Sequence, residues 1–133
     1  MLNRPQGFQY AVKFICGKSP SRILAPGAYF TAINVHNPTR GTIGFSKKVA
    51  IALPEEKPGR VSRFFDARLR TDEALEIDCP DILRHADSTD DFLKGFVVIQ
   101  SRVELDVVAV YTAAGATDRV ETLHIERVPP RRQ

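Results

Sequence analysis

The chain has 133 residues, 43% of them hydrophobic and 26% charged, with a formal net charge of +3. That length suits one domain, which buries roughly two-thirds of its unfolded surface without needing metal or disulfide staples. The composition excludes a disordered chain, no run approaches the length of a membrane helix, and 19 cations against 16 anions leave no dominant field that demands a polyanion.

Met1 to Gly7 is polar and carries Pro5, without the apolar stretch of a signal peptide, so a cytoplasmic chain is expected. Residues 1–9 read as an arm, 10–128 as the domain and 129–133 as an extended, mobile tail. Tyr10 to Cys16 alternates, with Val12, Phe14 and Cys16 on one side, and Gly17-Lys18-Ser19-Pro20 breaks the run. After the Pro26-Gly27 turn, Ala28 to His36 puts Tyr29, Thr31, Ile33 and Val35 on one face and Phe30, Ala32, Asn34 and His36 on the other. Asn37 to Gly41 turns the chain into Thr42–Leu53, and the two runs read as a β-hairpin. Lys47 interrupts the face made by Ile43, Phe45, Val49 and Ile51, which points to a bulge or a change of burial there.

Pro54 to Gly59 is a polar loop, and Phe65, Ala67 and Leu69 then alternate with Asp66 and Arg68. Leu75, Ile77 and Cys79 alternate with Glu76 and Asp78, and Pro80 starts a single helical turn through His85. An acidic loop, Asp87 to Asp91, leads to Gly95–Gln100, Leu105–Ala113 and a last strand, Val120–Val128. Short strands at this spacing predict an all-β, single-domain antiparallel sandwich of about seven strands, with one helical turn near 80–85.

The words Asn34-Val35-His36-Asn37-Pro38 and Ala74-Leu75-Glu76-Ile77-Asp78-Cys79 give residues 25–79 a fold-level likeness. The segment resembles the immunoglobulin-like sandwiches of the major sperm protein and pilus-chaperone type. The resemblance implies an immunoglobulin-like fold and no activity.

Sites for chemistry are sparse. Gly17-Lys18-Ser19 lacks both the earlier glycine and the following helix of a phosphate-binding loop. Cys16, His36, His85 and His124 show no ligand-pair spacing, and Asp87, Asp90 and Asp91 lack the pattern of a calcium loop. Cys16 and Cys79 read as buried thiols in a reducing compartment, or as a disulfide if the protein is exported. No catalytic residue, metal or cofactor is expected. Arg60, Arg63, Arg68 and Arg70 flank Phe64 and Phe65, so Arg63, Phe64, Arg68 and Arg70 form a candidate surface for a polyanionic or small ligand.

The strongest functional signal is an excess of apolar residues. Phe96-Val97-Val98-Ile99 and Val107-Val108-Ala109-Val110-Tyr111 are apolar on both strand faces, where a sandwich strand exposes one face to water. If these strands pair, each uncovered side chain forgoes roughly 1.5–3 kcal/mol of burial. The cover is either the 80–91 loop or the segment before Tyr10, or else another copy of the chain or a different protein. The candidate interface is Phe96, Val97, Ile99, Val107, Val108, Val110 and Tyr111. The expectation is a non-enzymatic assembly or accessory subunit that associates with itself or another protein as a homo-oligomer, with neither a nucleic acid nor a membrane as partner.

Overall fold

A computed structural model describes residues 7–20, 23–115 and 119–132. Among them the strands are β1 (Phe8–Ser19), β2 (Gly27–His36), β3 (Ile43–Leu53), β4 (Lys57–Val61) and β5 (Phe65–Leu69). They continue as β6 (Ala74–Asp78), β7 (Phe92–Ser101), β8 (Asp106–Ala114), β9 (Val120–Arg127) and β10 (Arg131–Arg132), with helix α1 (Cys79–Ala86) between β6 and β7. Every pairing is antiparallel, so the all-β expectation holds, with ten strands rather than about seven.

The hydrogen-bonded path runs β4-β3-β7-β1-β2-β8-β9, with β5 beside β3, β6 beside β2 and β10 beside β1. β1 meets β2 only over Gly17–Ser19, and farther along β2 its place is taken by β6, from Ala32 to His36. Thr31 sits at this fork. Its hydroxyl donates to the carbonyl of Ile15 and accepts from the Ile15 N–H, replacing the ladder where β1 leaves. The Cys16–Cys79 disulfide lies at the same fork and ties β1 to the first residue of α1, so of the two readings left open by the sequence the cysteines are paired. The inward residues of the β1–β7–β3 strands and of the β2–β8 strands meet in one core. Tyr10 crosses that core: its hydroxyl donates to the carbonyl of Leu105 at 3.0 Å and accepts from the Leu105 N–H at 2.7 Å.

Several local expectations change. Gly17 does not end β1. Its φ of 112° is open to glycine, and a Cβ there would collide with the Asp91 carbonyl, so the strand runs on to Ser19. The expected hairpin of β2 and β3 does not form, because β2 pairs with β1, β6 and β8, and β3 with β4, β5 and β7. Asn37 explains the crossover. Buried between the strands, it donates from Nδ2 to the carbonyls of Gly41, Leu69 and Arg70, and its Oδ1 accepts from Thr39. The turn is thereby fixed to the β5–β6 connection instead of folding β3 back on β2.

Pro54–Gly59 is not a loop. Glu55 and Glu56 both adopt positive φ, 65° and 58°, and close a tight hairpin into β4. β3 keeps its register with β7 and β5 through Lys47, and its irregularity falls between Ala50 and Ala52. The helical turn extends to a full helix, capped by Asp78 and Asp81 in a reciprocal box and ended by Asp87 in the left-handed conformation. Phe8 and Gln9 belong to β1 and pair with Arg131–Arg132, so that much of the arm and tail is strand. The rest of the arm, residues 1–6, and Gln133 lie outside the described residues.

Candidate functional site

β7 and β8 do not pair with one another. β7 lies between β1 and β3, and β8 between β2 and β9. The two apolar strands therefore sit in different ladders, and each sends alternate side chains into the one buried cluster. Val97, Ile99 and Val107 point inward and are buried by the chain's own core, which corrects their place in the candidate interface. Tyr111 is half-buried on the inner side. Its hydroxyl donates to the carbonyl of Lys13, and burial pushes its pKa up to about 12. Phe96, Val108 and Val110 have the opposite parity and lie outward.

The outward face of β7 is already managed. Lys13 lies over the ring of Phe96 and Lys94 over that of Phe92, at 5.3 and 5.4 Å from the centroids. The lysine stems shield the rings while their ammonium groups stay near water. α1 covers none of this outer face. It packs on β2, β3 and β6, with Ile82 and Ala86 in the core.

The outward face of β2, β8 and β9 has no such cover among the described residues. Cross-strand register builds it in rows: Phe30, Thr112 and Leu123, then Ala32, Val110 and Ile125, then Asn34, Val108 and Arg127. Phe30 is 54% exposed, Leu123 59% and Ile125 61%. Polar groups close one end. Asp106 accepts from Arg127 at 3.0 Å and contacts His36 Nδ1 at 2.8 Å, and Asn34 donates to Glu76 at 3.4 Å. The His36 hydrogen bond, aided by Arg127, holds the Asp106 carboxyl below its usual range against the opposing effect of burial. An apolar centre with a polar rim is the anatomy of a protein interface. Sequence reading reached Val108 and Val110 but missed Phe30, Leu123 and Ile125. The available signal was that Leu123 and Ile125 alternate with polar residues close to the end of the chain, where fewer strands remain to cover them.

The arginine-rich surface is partly committed elsewhere. Arg70 donates from Nε and Nη2 to Glu73 Oε2, Arg60 donates to the Ala86 carbonyl that ends α1, and Arg63 lies 4.1 Å over the Phe65 ring. Arg68 and Phe64 remain exposed, with Lys48 over the Phe64 ring. The other face of Phe65 stacks on His85 at 4.1 Å. Beside it, Lys47 points inward and is only 9% exposed, with no hydrogen bond or ion pair among the described residues. Burial lowers the pKa of both Lys47 and His85. His36 sits at the end of β2 beside Asp106, His124 lies mid-strand on β9 opposite Tyr111, and His85 stacks on Phe65, so the histidines and Cys16 share no site. Among the described residues no group of three or more His, Cys, Asp or Glu side chains is placed to hold a metal ion. No helix there is long and apolar enough to cross a membrane.

No protein-family model and no curated protein matches the chain. Among solved structures, the crystal structure of Thermotoga maritima 1070 is similar, with a TM-score of 0.58 over 96% of each chain at 11% identity. At that identity the likeness is one of fold.

Proposed function

We propose that the chain is a non-enzymatic assembly or accessory subunit that associates with a second copy of itself through the outward face of β2, β8 and β9. The observation that carries this reading is Phe30, Leu123 and Ile125, each more than half exposed and set side by side with Val108 and Val110. Burying each such side chain is worth roughly 1.5–3 kcal/mol, enough in combination to drive association. The same proposal includes the finer fold, a two-layer sandwich of immunoglobulin-like type. Its support is the shared core of the β1–β7–β3 and β2–β8 strands and the Asn37-Pro38 turn.

Light scattering across a dilution series tests the reading. A mass above that of one chain, lowered to a monomer by Val110→Asp together with Ile125→Asp, is the expected result. A monomer at every concentration sinks it. The alternative is a binding module for a polyanion, resting on exposed Arg68 and Phe64. It is separated by salt, since contacts to a polyanion weaken steeply as salt rises and burial of an apolar face does not.

A further inference from the structure

We infer that two copies join edge to edge along β9, antiparallel, with His124 facing the partner's His124 across a two-fold axis. This rests on the self-association proposed above and moves its seam to the β9 edge, with the apolar face running beside the seam across both copies.

β9 pairs with β8 along one edge, and no described residue pairs with the other. All eight of its residues are exposed, on both faces. An uncovered apolar edge is a template for another strand. The sequence of β9, Val-Glu-Thr-Leu-His-Ile-Glu-Arg, selects the partner and the alignment.

In an antiparallel pair about a two-fold axis normal to the sheet, opposing residues share a face. Centred on His124, the register sets Glu121 opposite the second copy's Arg127, and Leu123 opposite its Ile125. On the other face Thr122 meets Glu126. Each apolar residue meets an apolar one, and the acid meets a base at both ends. Centring on Leu123 sets Glu121 against Ile125 and Arg119 against Arg127. Centring on Ile125 sets Leu123 against Arg127. Both place charge against carbon or against like charge, which cross-strand pairs disfavour. Only the His124 axis makes the strand self-complementary.

The pairing also extends the outward face. The row of Phe30, Thr112 and Leu123 continues into Ile125, Val110 and Ala32 of the second copy, so one apolar band crosses six strands. Arg127 and Glu121 are both free to turn toward a neighbour, since each is exposed and held by a single local contact, to Asp106 and to the Gly115 N–H.

The test is cysteine cross-linking with a charge swap, on the full chain with its native disulfide intact. His124→Cys should form a covalent dimer on mild oxidation. Thr122→Cys should not, because its Cα lies about 14 Å along the strand from its own copy, beyond the roughly 7 Å a disulfide spans. Glu121→Arg and Arg127→Glu should each weaken self-association about tenfold or more, and the double variant should restore it to within about threefold. Circular dichroism confirms that each variant is folded. A non-covalent dimer that cross-links through Thr122→Cys, or in which the double variant gives no rescue, overturns the register and leaves face-mediated association standing. A monomer at all concentrations overturns both.

Discussion

β7 has a strand on each side and sends Leu93, Val97 and Ile99 into the core, while cations cover the rings it turns outward. Among the described residues β9 pairs with β8 alone, and every one of its residues is exposed. Their sequences suggest the opposite. Phe96-Val97-Val98-Ile99 is unbroken and looks overexposed, whereas the alternation in β9 looks like an ordinary half-buried strand. Alternation records which side chains share a face. It does not record whether a second layer stands behind that face. The number of neighbours decides burial, and that number is a property of topology.

The sharpest way to break this comparison is to place the same charge on each strand. Val97→Asp buries a carboxylate in the core without a partner, and should cost more than about 4 kcal/mol, leaving no cooperative unfolding transition at 25 °C. Ile125→Asp should move the dilute-solution midpoint by no more than about 0.5 kcal/mol. Equal losses in urea titrations would mean that β9 is packed in solution after all.

The fork between β1 and β6 gives the next largest effect. Cys16 and Cys79 are separated by 63 residues, and closing a loop of that length stabilises the fold by up to about 4 kcal/mol in the chain-entropy account. Reduction should therefore lower the urea midpoint of the whole domain by a corresponding amount. It should leave self-association near its original strength, because β9 lies away from the fork. An unchanged midpoint would show that Thr31 and Tyr10 hold the two strand groups together without the bond.

Much of the fold was legible from residues alone. The strands from Tyr10, Ala28, Leu75 and Val120, and the helical start at Pro80, follow from alternation and capping chemistry. The pairing was not legible, since nothing in Asn37-Pro38 announces that Asn37 will bond Leu69 and Arg70 across the molecule. β4 was hidden because Glu55-Glu56 adopts a turn conformation usually signalled by Asn-Gly. Of the candidate interface, Val108 and Val110 were legible as apolar strand residues. Alternation marks Leu123 and Ile125 as one face of β9, but that this face adjoins Phe30, Val108 and Val110 follows only from the β2–β8–β9 register, which no local pattern encodes.

Lys47 offers the smallest effect, with the opposite sign. It lies on the inward face of β3, near Asp81, Asp66, Arg84 and His85, and without a hydrogen-bond acceptor among the described residues. Burial, the largest cause, lowers its pKa; the two carboxylates oppose that and Arg84 adds to it. A base whose folded pKa lies below its unfolded one is protonated more readily in the unfolded chain, so stability rises as pH climbs through that interval. Below the interval the folded state carries the cost of the partly desolvated ammonium; above ordinary lysine values that cost is gone. Lys47→Met keeps the packing and removes the charge, and should stabilise the domain at neutral pH by no more than about 0.5 kcal/mol, since the ammonium is only partly desolvated. The gain over the native chain should shrink as pH approaches about 10.5. A gain that stays constant with pH would assign it to packing of the methionine. A loss would show that the ammonium has a partner in solution, and that this inward charge is as well served as the lysines on the outer face of β7.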